Sequence, residues 1–397
     1  MAADPPAPDV HAVYQPIVEL RTGAVIGYEA LARGGGDAEL QTPAELFAAA
    51  RARDGVVELD LACMRAALAG AERHALAAPL SLFLNAEPAT LDAAERLPGA
   101  RAGHGLVVEV TERALTAHPE ALLRSLTRLR TQGWGVALDD VGADSRSLAL
   151  MTLLYPDVIK LDMRLLQQRS DPEIAAIVTA VGMESERSRV VVLAEGIDSE
   201  AQLAVAQGWG ATFGQGYLLG APAALPAGDG DVAARALPLR GTGGDPWGST
   251  PFDRVTNWKR PQTGDRGLAD LVAAQIERQA ASLGETAMIL AAFPHDTHAD
   301  AEVTERYTTL ARRLAFTGVL CGGPGLDAAT GVRGGPLGPD DPLRGTWTVV
   351  ALGPSLNAVF VARDHGDGTY AFAVSYERDT ATEAGLALMA RMAPAAG

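Results

Sequence analysis

Two adjacent aspartates, Asp139 and Asp140, end the apolar segment GVALDDVG at 135–142. Adjacent carboxylates repel each other and suit a buried strand poorly, so their presence here indicates a functional role. Two such groups can serve two cations at once, with one carboxylate shared between the ions. Cations paired at roughly 3.5–4 Å are a recurring device for hydrolysing phosphate esters. The pair therefore points to hydrolytic chemistry at a metal centre.

Similar polar residues end nearly every short β-rich segment before residue 220. They are carboxylates, amides and one ammonium group: Asn85, Glu109 with Glu112, Asp139 with Asp140, Lys160 with Asp162, Glu195 and Gln215, and Glu29 can join them. One or two could simply cap the helices that follow. A whole series favours a common site. Oxygen ligands without histidine or cysteine suit hard cations such as Mg²⁺ or Mn²⁺.

Lys160 lies inside VIKLD, which is apolar on both sides of the lysine. Of 33 basic residues only two are lysines, Lys160 and Lys259, so a lysine here indicates a chemical requirement. Burying an ammonium group is costly unless it is paired, and burial can shift its pKa. We expect Lys160 to position or deprotonate an attacking water, or to neutralise a phosphate oxygen. A plain salt bridge to Asp162 or Glu195 is the alternative.

The segments that carry these residues alternate with Ala/Leu-rich amphipathic stretches, such as those at 43–55 and 119–132. This alternation predicts a parallel sheet, either doubly wound or closed into a barrel. No G-x-G-x-x-G or Walker A motif follows a strand, which disfavours a nucleotide-binding doubly wound sheet. In a parallel barrel the strand ends meet on one rim, where such folds have their active sites.

Composition excludes several classes of function. The net charge of −16 argues against binding to nucleic acid or to an anionic membrane surface. No apolar run approaches the length of a transmembrane helix, and the first residues do not resemble a signal peptide. Two cysteines, Cys63 and Cys321, cannot form a disulfide framework and fit a reducing cytosol. We therefore expect a cytoplasmic protein.

A Pro/Gly-rich stretch at 226–262 predicts a linker between a first domain at 10–225 and a second at 263–393. In the second domain, TAMILAAF and FTGVLCGG predict strands separated by a helix. A Gly/Pro-rich loop at 322–345 precedes three strands with hairpin-like turns and a closing helix. The pattern is typical of a compact α+β module with an antiparallel sheet.

Taken together, the motifs of the first domain resemble the EAL family of cyclic di-GMP phosphodiesterases. They are YQPIV, YEALAR, LFLNAEP, VVEVTE, ALDDVG, YPDVIKLD, LAEGID and GQGYLLGAP, in the family's order and spacing. The resemblance implies a modified TIM (β/α)₈ barrel that hydrolyses cyclic di-GMP to linear pGpG with two Mg²⁺ or Mn²⁺ ions. It also implies a homodimer, because EAL barrels often dimerise.

The resemblance assigns a role to each matching residue. Glu29, Asn85, Glu109 and Asp139 would bind the first ion, and Asp139 would bridge to the second, which Asp140 also binds. Lys160, Glu195 and Glu112 are assigned to catalysis: Lys160 near the attacking water, Glu195 completing the site, and Glu112 supporting the loop after the Asp pair. Gln15, Arg33, Asp162 and Gln215 are assigned to the substrate.

The loop after the Asp pair departs from the family pattern. It reads DDVGADSRS, whereas the family typically has D-D-F-G-T-G-Y-S-S. Asp144 replaces a glycine, and aspartate is among the few residues that tolerate positive φ. Arg146 is expected to offset its charge. Because this loop couples the metal site to activation in the family, the alternative function is a receptor that binds cyclic di-GMP without hydrolysing it and signals to a partner protein.

The second domain resembles the DICT sensory domain, more loosely than the first resembles the EAL family. No catalytic set of residues is evident in it. We expect it to sense an unidentified signal or bind an unidentified partner, and to act on the barrel through the linker.

Overall fold

The computed structural model describes residues 9–35, 42–94, 97, 105–167, 171–226, 236–239, 248–294, 301–322 and 330–393. In these residues the strands form two sheets: a closed barrel of eight strands and an open sheet of seven. None of the helices described has the length and apolar composition needed to cross a bilayer.

The barrel strands follow one another around the barrel in chain order. They are β1 Val10–Glu19, β2 Val25–Gly34, β3 Ser81–Asn85, β4 Gly105–Thr111, β5 Gly135–Val141, β6 Val158–Leu161, β7 Val191–Ala194 and β8 Phe213–Gly214. Strands β2 to β8 are parallel, which confirms the predicted barrel.

Strand β1 is the exception, because it runs antiparallel to both β2 and β8. The expectation that every strand of the barrel is parallel was therefore wrong for β1. Its connection to β2, residues 20–24, is far shorter than the dozen or so residues that a parallel crossover needs. Gln15, in the middle of β1, consequently lies opposite Glu29 of β2.

Helices cover the outside of the barrel. Those described are α1 Pro43–Arg51, α2 Val56–Arg73, α3 Leu91–Ala94, α4 Glu112–Ala117, α5 Pro119–Thr131, α6 Ser147–Leu154, α7 Met163–Gln167, α8 Pro172–Ser188 and α9 Glu200–Gly208. In α5 the apolar residues recur with helical spacing, so Leu122, Leu126 and Leu129 are all buried. Helix α6 is different, since every one of its residues is buried.

The second unit is a sheet with helices on both faces. Its elements are α10 Pro251–Thr256, β9 Gln262–Asp265, α11 Arg266–Leu283, β10 Met288–Phe293, α12 Ala301–Ala311, β11 Phe316–Cys321, β12 Arg333–Pro336, β13 Trp347–Gly353, β14 Leu356–Asp364, β15 Thr369–Ser375 and α13 Arg378–Met389. The strand order is β12-β11-β10-β13-β14-β15-β9.

This sheet is mixed rather than antiparallel as expected from the sequence. Strands β10 and β11 are parallel, and so are β11 and β12, while the other pairs are antiparallel. Helix α12 lies between β10 and β11 and provides the crossover that a parallel pair requires. Strand β12 lies within the predicted loop 322–345, where the sequence RGGP has little β-propensity.

The stretch 226–262 contains more structure than its composition indicates. Helix α10 packs through Phe252 and Val255 onto the second unit. Earlier in this stretch, Leu237 is buried in a cluster of apolar residues from the barrel strands, and Leu239 packs against the same cluster. Part of this stretch therefore belongs to the two folded units that it connects.

Close packing of α2 on β1 makes Gly70 a sensitive position. A Cβ at Gly70 would lie 1.8 Å from Tyr14 Oη, which is buried and donates a hydrogen bond to Ala67 O at 2.7 Å. We expect Gly70→Ala to lower the free energy of unfolding by at least about 2 kcal/mol, because the buried Tyr14 hydroxyl occupies the place of the new methyl group. The matched control is Gly182→Ala in α8, where a Cβ meets nothing within 4 Å. Denaturant titration should show the control unchanged or up to about 1 kcal/mol more stable, and equal effects would contradict the prediction.

Candidate metal centre

Asp139 and Asp140 lie where the pairing of β5 with β6 becomes irregular. The register shifts between Leu138 and Val141, and Asp140 adopts a left-handed backbone conformation with φ +59°. Successive residues of a regular strand point to opposite faces, so this distortion is what brings both carboxylates to one side. Oxygen atoms of Asp139, Asp140 and Glu195 all lie within 4.8 Å of one another. Three carboxylates thus form a group that could hold a metal ion.

Asp144 does not adopt the positive φ that its replacement of a glycine led us to expect. The left-handed positions of this loop are Asp140 and Gly142 instead. The Asp144 carboxylate accepts a hydrogen bond from the backbone N–H of Arg146 at 2.9 Å, which closes a local turn. The Arg146 side chain pairs with Glu285 of the second unit at 3.7 Å.

Lys160 lies at the centre of the cluster, with its side chain only 1% exposed. Its Nζ atom is within 4 Å of four carboxylates: Glu109 and Glu195 at 2.8 Å each, Asp139 at 3.2 Å and Glu29 at 3.7 Å. The alternative was a plain salt bridge to Asp162 or Glu195: the ion pair with Glu195 is present, as one of four, whereas Asp162 pairs with Arg164 at 2.9 Å. Burial alone would lower the pKa of Lys160, but the four surrounding charges raise it well above its usual value.

Glu29 is held by two amides. Asn85 Nδ2 donates to one of its carboxylate oxygens at 2.9 Å, and Gln215 Nε2 donates to the other at 2.7 Å. Gln215 Nε2 also lies 2.9 Å from Gln15 Oε1, and Gln15 Nε2 donates to Gly220 O at 3.1 Å. The structure thus places Gln15 and Gln215 against the carboxylate cluster.

The electrostatics of the cluster call for additional positive charge. Burial, followed by the charge of Glu29, raises the pKa of Glu109 well above its usual value. Burial raises the pKa of Glu195 to about 8, and burial together with the Asp139 charge raises that of Asp140. For Glu29 the effect of burial is outweighed by Lys160 and the two amides, so its pKa is lowered.

Buried oxygen atoms in the cluster are left without hydrogen bonds. Among the described residues, Glu109 Oε2 and Gln215 Oε1 accept no hydrogen bond, and Glu109 Oε1 and Asp139 Oδ1 have only the Lys160 ammonium, at 2.8 and 3.2 Å. Buried polar atoms are normally satisfied, so such atoms at one point need another partner. A divalent cation would satisfy them and offset the repulsion among the carboxylates. The residues present therefore fit hard metal ions.

Two predicted residues, Arg33 and Glu112, lie outside this cluster or outside what is described, while Asp162 lies at its edge, within hydrogen-bonding reach of Asp140. Arg33 is half-buried, and its Nη1 donates to Ala32 O at 2.8 Å. The Asp162 carboxylate accepts from Arg164 through two side-chain nitrogens and the backbone N–H, at 2.7–2.9 Å. Glu112 begins α4, but its side chain is not among the described residues.

Comparison with known proteins identifies the barrel. The family model described as "EAL domain" matches residues 7–222, more than half of the chain. The chain belongs to the EAL domain family. The cyclic di-GMP phosphodiesterase RocR of Pseudomonas aeruginosa is 29% identical over 225 residues, which are 54% of this chain and 57% of RocR. The cyclic di-GMP phosphodiesterase PA2567 of the same organism is 31% identical over 224 residues, covering 53% of this chain and 38% of that protein.

A solved structure is similar to part of this chain. Klebsiella pneumoniae BlrP1, in a complex with manganese and cyclic di-GMP, is 28% identical and has a TM-score of 0.47, with 55% of this chain and 57% of that chain covered. This chain spans between 30% and 57% of the length of the first curated relatives that it matches. The match to the EAL domain covers the barrel, so the resemblance of the second unit to the DICT domain stays a prediction.

A cavity of about 530 Å³ opens beside the carboxylates of the EAL domain. Glu29, Asn85, Glu109 and Asp139 line one end, while α1 and α2 contribute the opposite wall, which includes Phe47, Met64 and Asp60. Sequence reasoning missed Asp60, which accepts hydrogen bonds from Glu87 N at 2.9 Å and from Thr90 Oγ1. The available signal was its position beside Leu59 on the buried side of α2. Asp60 thereby fixes the turn that follows Asn85.

Asp60 should make the stability of the EAL domain depend on pH. Burial raises its pKa from 3.8 to about 6. Because the folded value is the higher one, this group stabilises the fold fully below pH 3.8, and the contribution is lost as the pH rises through about 6. Asp60→Asn does not titrate, so the stability of wild type relative to this variant should fall between pH 4 and pH 7. At about 1.4 kcal/mol per pKa unit the change is at most about 3 kcal/mol.

Denaturant titration of both proteins at several pH values would check this prediction. The difference between their free energies of unfolding, rather than either value alone, isolates the Asp60 carboxyl group. A difference that stays constant from pH 4 to pH 7 would show that folding does not raise the pKa of this group.

Proposed function

We propose that the barrel hydrolyses cyclic di-GMP to linear pGpG with two divalent cations, Mg²⁺ or Mn²⁺. Membership of the EAL domain family supports this proposal, as do relatives named as cyclic di-GMP phosphodiesterases. The observation that carries it is the imbalance of charge around Lys160, whose single ammonium group lies among the carboxylates of Glu29, Glu109, Asp139 and Glu195.

The donor groups divide into two sets. Glu29, Asn85, Glu109 and Asp139 would hold one ion, and Asp139, Asp140 and Glu195 would hold the other, so Asp139 serves both. When bound, such a pair of ions lowers the pKa of a water molecule and neutralises charge that develops on the phosphate.

The protein's own groups orient the reactants. Lys160 is surrounded by negative charge and stays protonated, so it donates hydrogen bonds rather than accepting a proton. We assign it to orienting the attacking water and stabilising charge on a phosphate oxygen. We assign Gln15 on β1, Arg33 on β2 and Asp162, which Arg164 holds just after β6, to binding the substrate. Gln215 donates hydrogen bonds to both Glu29 and Gln15 and so holds these two side chains next to each other.

The test is turnover of cyclic di-GMP by the purified full chain with Mn²⁺ or Mg²⁺. Product is followed as pGpG by chromatography, binding is measured in parallel, and Glu29→Ala is the control. Metal-dependent pGpG that is absent in the control supports the phosphodiesterase. Tight binding without product would instead support a receptor that signals to a partner, and absence of both would mean that the site serves another ligand.

We also propose that the second unit regulates the barrel in response to a signal or partner, as its resemblance to the DICT domain implies. Cys63 and Cys321 do not form a disulfide with each other, which supports a reducing compartment such as the cytosol.

A further inference from the structure

We infer that the second unit is a structural support of the metal centre, because it positions Asp140 by holding the loop 141–146 and helix α6. This inference rests on the proposed metal site and adds to it a route by which the two units are coupled.

The first link is the short chain segment between Asp140 and α6. Ala143 N donates to Asp140 O at 3.1 Å, and Ser147 Oγ donates to Asp144 O at 2.7 Å. Ser147 is the first residue of α6 and is buried. The segment is therefore a series of closed turns, so a displacement of α6 would be transmitted to the backbone of Asp140 rather than absorbed by a slack loop.

The second link is the position of α6 between the two units. Its sequence, SLALMTLL, is apolar on all sides, and a helix of this kind needs cover on all sides. Strand β5 and helices α4 and α8 of the barrel cover one side, while β13 and α13 of the second unit cover the other. Leu153 belongs to the same continuous apolar core as Val350, Leu352 and Leu388.

Gly385 of α13 lies close to α6. A Cβ on Gly385 would lie 2.9 Å from Leu352 Cδ1 and 3.0 Å from Leu153 Cδ2. A larger residue at 385 would therefore push against both units at once. This makes Gly385 a suitable position from which to move α6 without touching any residue of the metal centre.

Polar contacts hold both ends of α6. Before its first turn, Ser145 Oγ lies 3.4 Å and Arg146 Nη2 lies 3.7 Å from the Glu285 carboxylate. At its other end, Tyr155 Oη donates to Asp379 Oδ1 at 2.6 Å. The exposed Arg146–Glu285 pair contributes little stability by itself. The pair matters for position rather than for stability, because it connects the loop 141–146 directly to the second unit.

The far end is also tied to the barrel through the same turn of α13. The Arg378 guanidinium lies 5.2 Å from the centre of the Tyr155 ring, and it forms an ion pair with the buried Glu184 of α8. A change in the second unit that moves α13 or β13 thus reaches Asp140 by direct contact. This route is separate from the one through the linker that the sequence suggested.

The test uses the full chain, because removing the second unit would expose the apolar side of α6. Gly385→Val should weaken Mn²⁺ binding, measured by calorimetry, at least tenfold. It should also speed amide hydrogen exchange in residues 140–147 at least tenfold in metal-free protein, with the circular dichroism spectrum unchanged. Gly182→Val in α8, where a Cβ meets open space, is the matched control and should change neither quantity. Unchanged Mn²⁺ affinity and unchanged exchange in folded Gly385→Val would overturn the inference.

A second variant keeps the test decisive if Gly385→Val fails to fold. Glu285→Arg places a cation against Arg146 on an exposed surface, and it should weaken Mn²⁺ binding about threefold and speed exchange in 140–147. The charge swap Glu285→Arg with Arg146→Glu should restore both, and failure of the single variant to change either would overturn the inference. If wild type binds no Mn²⁺, the proposed function fails, and hydrogen exchange alone still decides whether the units are coupled.

Discussion

Glu29→Ala is expected to lower the rate of pGpG formation at least about 10³-fold while the barrel stays folded. Glu29 is buried and is held from both sides by Asn85 and Gln215, so its carboxylate is presented in one fixed position. Its loss removes a donor from the proposed ion site, and the ions provide the main stabilisation of developing charge. Removing a carboxylate also relieves repulsion with Glu109, whose pKa is raised by burial and then by the charge of Glu29.

The measurement is the initial rate of pGpG formation at saturating Mn²⁺, together with the Mn²⁺ affinity. Glu29→Gln separates charge from shape, because an amide of the same size retains an oxygen for Asn85, and it should lose nearly as much activity. The matched control is Glu19→Ala, another barrel glutamate. Glu19 ends β1, and because β1 is antiparallel it lies at the opposite rim beside Phe213. Wild-type turnover in Glu29→Ala would refute its assignment as a metal ligand.

Lys160→Met is expected to lower the free energy of unfolding of the metal-free protein by about 3–5 kcal/mol, because removing one partner of a buried ionic group leaves the others unpaired. Here four carboxylates lose the ammonium group that lies within 4 Å of each. Bound Mn²⁺ should recover much of this loss, since a ligand present at 100 times its dissociation constant stabilises by about 2.7 kcal/mol. Turnover should fall in the variant even when stability is restored.

Denaturant titration with chelator and with saturating Mn²⁺ would measure both effects. The other lysine of the chain provides the control: Lys259 Nζ donates to Val374 O in the second unit, far from the carboxylates in sequence. Lys259→Met should show no greater recovery with Mn²⁺ than wild type. A Lys160→Met protein as stable as wild type without metal would mean that the carboxylates do not depend on this ammonium group. Lys160→Arg should also lose activity, because a planar guanidinium cannot replace a compact ammonium.

Much of the first unit follows from local sequence. Alternating β-rich and amphipathic segments predicted the barrel, and polar residues at the segment ends indicated which rim carries the site. Both properties depend on side-chain type and spacing, which can be read directly from the sequence. The direction of β1 was wrong because the prediction extended the parallel pattern to a connection that is too short for a crossover.

The second unit was less predictable for a similar reason. Its hydrophobic strands were recognised, but β9 and β12 carry polar or glycine-rich sequences that pair only because neighbouring strands offer free edges. Strand pairing of this kind is decided by tertiary contacts rather than by propensity. The sheet is consequently mixed, which the sequence pattern did not indicate.

The sequence by itself determined the chemical character of this protein: oxygen-bearing side chains at strand ends, one lysine among them, and motifs in the order of the EAL family. Only the tertiary structure decided how adjacent Asp139 and Asp140 serve one site, because that depends on the irregular pairing of β5 and the left-handed backbone of Asp140. It also placed Asp60 behind the turn after Asn85 and the second unit against α6. These contacts join residues far apart in the chain, and neither periodicity nor composition specifies which distant surfaces meet.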